Sequence, residues 1–382
     1  MQKKIWMFAS YVLVAAFSTA ITLAMVHFMD TGSSKLDQLS GIIEDYYIED
    51  VDMTALEDAA AEAMVKSAGD RWSYYIPASD YASYKENSEN AYVGIGITIT
   101  VAHDGDGLQV MQVNSGSSAE EAGILVNDVI IAIDGHSTSG MDTTDARNLV
   151  RGKEGTVVEI TVRRGGEKID MPVVRRTVQV PVATWEMLGD GVGYIAITNF
   201  DDRCASETIS AIETLLADGA EKLIFDVRNN PGGYAHELVQ LLDYLLPEGE
   251  LFRTVDYAGK EDVDYSDADY LDIPMAVLVN AESYSAAEFF AVALQEYEAA
   301  TVVGEKTSGK GYFQTTFNLS DGSAVALSIG KYFTPKDISL EGVGITPDVE
   351  VTVDEETMLS IYYGQLEPEE DPQILAAIEA LK

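Results

Sequence analysis

Basic residues are scarce in this 382-residue chain. Lys and Arg total 24 against 64 Asp and Glu, a formal charge of −40. A surface of that sign repels phosphate backbones and anionic lipid, which argues against nucleic acid as a partner. Cysteine is scarcer still. Cys204 stands alone, so no internal disulfide, Cys-based zinc site or iron–sulfur cluster can form. Four scattered histidines suggest no His metal cluster, and the sequence implies no metal and no organic cofactor. Charged residues are 23% and hydrophobic residues 47%, the balance of a globular chain, and the length suits two or three domains.

Charge is missing altogether from Ile5 to Met29, with Lys3 and Lys4 before the run and Asp30 and Asp37 after it. As a helix the run would be about 37 Å long, enough to cross a bilayer with some tilt. The lysines put the N-terminus in the cytoplasm and all that follows outside. A cleaved signal peptide is the rival reading. Its apolar core is usually about 7–15 residues, so the length of this run favours an anchor.

Residues 34–90 read as a helical arm. Leu36, Leu39, Ile42, Ile43 and Tyr46 recur at helical spacing, and Thr54-Ala-Leu-Glu57 reads as a capping box opening a second helix. Residues 91–176 alternate short β-rich runs with Gly turns, including a hairpin of Val157–Arg163 and Lys168–Val174 around Gly165-Gly166. Residues 185–350 alternate strand and helix. Gly193–Ile197, Lys222–Val227, Met275–Asn280 and Thr301–Gly304 are the strands, and Ser206–Leu216, Ala235–Leu246 and Ser285–Tyr297 the helices. Glu248–Ile273 reads as an acidic connection, either lid or exposed loop. Residues 355–382 form a helical tail opened by Asp371-Pro372. The apolar faces at 36–47 and 374–381 make a homodimer a candidate.

Three segments can carry chemistry. Asn280-Ala-Glu-Ser-Tyr-Ser-Ala-Ala-Glu288 joins a buried strand to a helix, where a serine oxygen meets the positive field of the helix N-terminus. Ser285 there is either a nucleophile or, with Glu288, a capping box. Asp226-Val-Arg-Asn-Asn-Pro-Gly-Gly233 is either a source of amides for an oxyanion hole or an ordinary strand–turn–helix connection. Gly304-Glu-Lys-Thr-Ser-Gly-Lys-Gly311 fails the phosphate-loop order. A lysine in it, desolvated in a cleft, can act as a base; otherwise both lysines are solvated. Among the histidines only His236, after the Pro-Gly-Gly loop, is a reasonable base.

In this order and spacing the segments resemble the carboxyl-terminal processing (tail-specific) serine proteases. The resemblance runs from about residue 36 to 350. It rests on Val93-Gly-Ile-Gly-Ile97, Arg151-Gly-Lys-Glu-Gly-Thr156, the two loops above, Gly309-Lys-Gly-x-x-Gln314, Asp321-Gly-Ser323 and Gly344-Ile-Thr-Pro-Asp348. Joined to the transmembrane anchor (1–33) and the tail (355–382) read above, it implies a multidomain α/β (α+β) architecture: helical arm (34–90), PDZ domain (91–176) and crotonase/ClpP-like protease core (177–354). It implies a membrane-anchored extracytoplasmic endopeptidase with Ser285 as nucleophile, Lys310 as base and Gln314 orienting the lysine. The amides of Gly232 and Ala286 would form the oxyanion hole. Ser283 and Lys306 are neighbours of the matched positions. Gly94, Ile95, Gly96 and Ile97 would receive a polypeptide's C-terminal carboxylate, and Arg151 would couple that event to the active site. Tyr284, Ala287, Ser308 and Arg71 depart from the usual pattern without removing a catalytic group. The alternative function is a catalytically silent tail-binding module.

Overall fold

The computed structural model describes residues 34–382 apart from 89, 103, 104, 115, 363 and 364. The expected anchor lies outside the described residues, and no described helix is long and apolar enough to cross a membrane. The chain divides into two units, residues up to Tyr75 and residues from Ile76 onward.

In the first unit a capping box between Ser34 and Asp37 opens the helix Lys35–Tyr46. The second helix, Met53–Lys66, starts earlier than the Thr54 signal suggested. The Asp52 carboxylate accepts from the amides of Thr54 at 3.0 Å and Ala55 at 3.2 Å, and so it is the cap. The segment 34–90 is also not wholly helical, since Tyr74–Ile76 is a strand.

The second unit holds two cores. One lies under a sheet ordered Ile97–Val101, Leu108–Val113, Val129–Ile133, Val157–Arg164, Glu167–Val174, every neighbouring pair antiparallel. Val158, Ile160 and Val162 alternate inward with Leu108, Val110 and Ile130, as period-2 patterning requires. The expected hairpin is present, turning at Gly165 and Gly166, both at positive φ. Ile97–Val101 is an edge strand of this sheet.

The other core surrounds a sheet ordered Ala183–Met187, Val192–Ile197, Lys222–Asp226, Met275–Val279, Ala300–Gly304, Val349–Glu350, parallel after its first pair. Its central strands, Lys222–Asp226 and Met275–Val279, are apolar on both faces because both are covered, while the edge strand Ala183–Met187 is mostly exposed. Leu223, Phe225, Val277 and Val279 share a core with the helices Cys204–Ala217, Ala235–Leu245 and Ala286–Glu296. Ile224, Ala276, Leu278 and Val303 face the tail helix Pro372–Ala380. Ile374 and Leu381 are buried there, so this part of the tail's apolar face is used within the chain. Leu375 is left exposed.

The acidic connection is no loop. Gly249–Asp256 and Glu261–Ser266 form a hairpin, and the first of them pairs with Ala324–Phe333, which pairs in turn with Tyr312–Asn318.

Candidate active site

The parallel strands end at one edge, where three loops converge. The first follows Met275–Val279. Ser283 is fully buried, donates to the carbonyl of Val227 at 2.7 Å and accepts from the Asn280 amide at 3.0 Å. That serine stitches two loops together. Ser285, two residues on, has φ 60° and ψ −128° at the start of the helix Ala286–Glu296. A serine held at positive φ is a strained residue fixed by its surroundings.

The second loop fixes those surroundings. Asn229 and Asn280 bond each other, the Asn229 amide to Oδ1 at 2.9 Å and the Asn280 side-chain nitrogen to Asn229 Oδ1 at 3.0 Å. Asn230 accepts from the Tyr284 amide at 3.1 Å through its carbonyl and donates to Ile197 O at 2.8 Å. Gly232 has φ 84°, and a Cβ there would sit 2.7 Å from Ser285 Cβ and 2.8 Å from Ala286 N. Only glycine fits against the serine. The Gly232 amide, expected as an oxyanion donor, is engaged otherwise: it donates to Asn230 Oδ1 at 2.8 Å. The cause is an asparagine turning its side chain onto the amide two residues on.

Beneath this loop lies an ion network. The Arg228 guanidinium meets Asp226 at 2.5 Å and Asp371 at 2.8 Å, and Gln373 Oε1 accepts from it at 2.9 Å. All four residues are buried. Burial alone would lower the pKa of Arg228, but Asp226 first and Asp371 next hold it above the ordinary value.

The third loop brings Lys310. Glu288, fully buried on the first turn of the serine helix, gathers it in. Oε2 accepts from the Ser285 amide at 3.2 Å and the Lys310 amide at 2.8 Å. Oε1 accepts from Thr307 Oγ1 at 2.5 Å and the Gly309 amide at 2.8 Å. One carboxylate thus ties the backbones of Ser285 and Lys310 together. Burial pushes its pKa up, while the bonds from Thr307, Lys310, Gly309 and Ser285 pull it back. The Lys310 ammonium lies 5.6 Å from the centre of the Tyr284 ring. Lys310 is half-buried and Lys306 exposed, which separates the two lysines of the loop. Gln314 stands on the next strand, its amide nitrogen donating to Tyr312 O at 3.1 Å and Ser328 Oγ at 3.0 Å.

His236 is exposed, with Asp202 at 3.6 Å and Glu237 at 3.4 Å. Cys204 is buried in the core, and burial raises its thiol pKa.

In the other core, Gly94, Ile95, Gly96 and Ile97 line a cleft of about 310 Å³ between the edge strand and the helix Thr143–Val150. Gly96 has φ 79°, and a Cβ there would strike Ser117 Cβ at 2.5 Å. The Arg151 guanidinium sits 5.5 Å from the centre of the Tyr92 ring at one end of this cleft.

Sequence reasoning missed Glu288, Thr307, Asn230 and the pair Asp371–Gln373. Glu288 was legible only as a cap. Its partners at 307, 309 and 310 lie on another loop and leave no local spacing to read.

A strained serine at a helix N-terminus, a lysine loop bound to the same carboxylate and a β-edge cleft define a serine-peptidase class of site. The chain matches the PDZ domain over residues 109–164 and Peptidase family S41 over residues 191–351. It is 33% identical over 364 residues to the carboxy-terminal processing protease CtpA of Bacillus subtilis (strain 168), covering 91% of this chain and 78% of that protein. It is 34% identical over 321 residues to a probable CtpA-like serine protease of Staphylococcus saprophyticus, covering 83% of this chain and 65% of the relative. A putative S41 protease from Bacteroides fragilis shares the fold at a TM-score of 0.52 and 17% identity, with 90% of this chain and 96% of that one covered. The chain belongs to peptidase family S41, among the carboxyl-terminal processing serine proteases.

Proposed function

We propose that this chain is a membrane-anchored, extracytoplasmic endopeptidase that engages polypeptides by their C-terminal tails and cuts them with a Ser285–Lys310 pair. The observation that carries the reading is the Glu288 carboxylate, which holds the amides of Ser285 and Lys310 on one oxygen. Neutral Lys310 takes the proton from Ser285 Oγ, and the oxygen attacks the peptide carbonyl. The tetrahedral oxyanion forms beside the first amides of the serine helix, with Ala286 as donor and Gly232 joining once it leaves Asn230. Collapse expels the amine, which takes its proton from Lys310, and water resolves the acyl ester with the same base. Gln314, its nitrogen already bonded, offers its carbonyl oxygen to the lysine. The tail adds as a strand to Ile97–Val101 with its carboxylate at Gly94–Ile97, and Arg151 passes that event on. Ile5–Met29 anchors the chain. The exposed Leu39 and Ile42 of the first helix are the face for pairing two copies.

An unfolded reporter with an apolar C-terminal tail tests this. The parent cuts it, Ser285→Ala and Lys310→Ala do not, and Lys306→Ala does. Equal residual cleavage in all three variants would reject the assignment.

One observation favours a second reading. The Gly232 amide is occupied by Asn230 Oδ1, so one of the two expected oxyanion donors is not open. A tail-binding module without activity would keep that arrangement. It binds tail peptides and leaves the reporter intact whether or not Ser285 is present.

A further inference from the structure

The tail cleft is a cationic place on an acidic protein. Among the described residues its lining includes Arg147 and Arg151 and neither Asp nor Glu, in a chain with 64 acidic residues. Asp142, the N-cap, and Asp145, on the same helix as Arg147, do not line the cleft. Arg147 is exposed. No ion pair or side-chain hydrogen bond occupies its guanidinium among the described residues.

The positions of the elements assign a register. Arg151, just past the helix, lies over Tyr92, two residues before Gly94. The C-terminal end of the helix is therefore at the carboxylate end of the cleft, and Val150 borders the last side chain of a bound tail. Arg147 is three residues back, about 4.5 Å along the helix axis. An extended tail turns every second side chain to the same side, about 6.6 Å apart. The reach of an arginine covers that difference, so Arg147 faces the second residue before the C-terminus.

We propose that Arg147 makes the cleft select tails with an apolar last residue and an aspartate or glutamate two positions before it. The proposal rests on the reading of Gly94–Ile97 as the carboxylate site and adds a side-chain preference to it. The overall charge of −40 works against acidic peptides. At physiological salt, however, charges beyond about 8 Å are largely screened, and Arg147 acts at contact.

The test uses the full-length Ser285→Ala protein in detergent and fluorescein-labelled nonapeptides ending in Glu-Ala-Val, Gln-Ala-Val or Lys-Ala-Val. A Glu-Ala-Val peptide with an amidated C-terminus is the control. Anisotropy gives Kd. Glu-Ala-Val is expected to bind about fivefold more tightly than Gln-Ala-Val, the scale of a partly exposed ion pair. The difference disappears when Arg147→Gln is added. With Arg147→Glu the order reverses in favour of Lys-Ala-Val. Equal binding of the Glu and Gln peptides, with the free acid still preferred over the amide, overturns the role of Arg147 and leaves the carboxylate site intact. No preference for acid over amide removes both.

Discussion

Arg228 and Arg147 are put to opposite uses by a chain short of cations. Arg228 is saturated by its own chain: Asp226, Asp371 and Gln373 surround a guanidinium with a side-chain exposure of 3%. Arg147 stands at the rim of a cleft with no acid in its lining among the described residues. The first arrangement fixes geometry. It binds the loop that carries Asn230 and Gly232 to the tail helix on the far face of the sheet, and that loop shapes the surroundings of Ser285. The second leaves a charge to be met from outside. Burial separates a charge that holds a loop in place from one left open to solvent.

The sharpest way to break that comparison is to remove the saturated member. Arg228→Met leaves the carboxylates of Asp226 and Asp371 buried without their cation, a loss of about 3–5 kcal/mol for a broken buried pair. Urea unfolding followed by tryptophan fluorescence reads it. Asp371→Asn should lower stability in the same direction, and the double variant should fall short of the sum because both changes act on one network. A parent-like midpoint for Arg228→Met would mean that the network does not organise the loop.

Glu288→Gln comes next. All four partners of Glu288 donate to it in the structure, and three of them are amides that cannot accept. A glutamine amide turns its nitrogen against at least one of those amides. One buried donor left unmet costs about 1–3 kcal/mol, and the misplacement falls on the backbones of both Ser285 and Lys310. We expect kcat/KM on the reporter to drop on the order of a hundredfold while circular dichroism is unchanged. Ser285 and Lys310 would then depend on Glu288 as positioned groups, not as a pair held by the fold alone. Activity within twofold of the parent would show that the carboxylate is only a helix cap.

The strands of the α/β core and the three loops were legible because each is a contiguous run: a Val- or Ile-rich segment, then a Gly- or Ser-rich turn. The Gly249–Ser266 hairpin was not. Its strand Glu261-Asp-Val-Asp-Tyr-Ser266 carries acids and so reads as a loop, yet the ladder to Gly249–Asp256 holds it. The proposed Ser285–Lys310 pair came from the resemblance. What holds it was not legible, since Glu288 and its partners on the lysine loop lie 19–22 residues apart, and Arg228 and Asp371 lie 143 apart. Neither separation has a period. The Asp52 cap was missed for a smaller reason: Thr54 with Glu57 has the right spacing, but Asp52 caps the helix two residues earlier, through the amides of Thr54 and Ala55.

The smallest effect belongs to an arginine between the two extremes. Arg164 is about one-third exposed, and it holds Asp128, whose side chain is 2% exposed, at 2.6 Å. Burial raises the Asp128 pKa, but the hydrogen bonds from Arg164 and the Leu125 amide outweigh it, and the carboxyl sits below its ordinary value. A depressed carboxyl stabilises the fold only while ionised. Its contribution is therefore present above the ordinary aspartate pKa of about 3.9 and is lost as pH falls through the lower folded value. Solvent screening at Arg164 keeps it to about 1 kcal/mol. The stability gap between parent and Asp128→Asn should hold steady from pH 7 to pH 5 and narrow toward pH 3. A gap that stays constant to pH 3 would mean that packing, not ionisation, sets the value of this pair, and a partly exposed arginine would then belong with the open Arg147 instead of with the saturated Arg228.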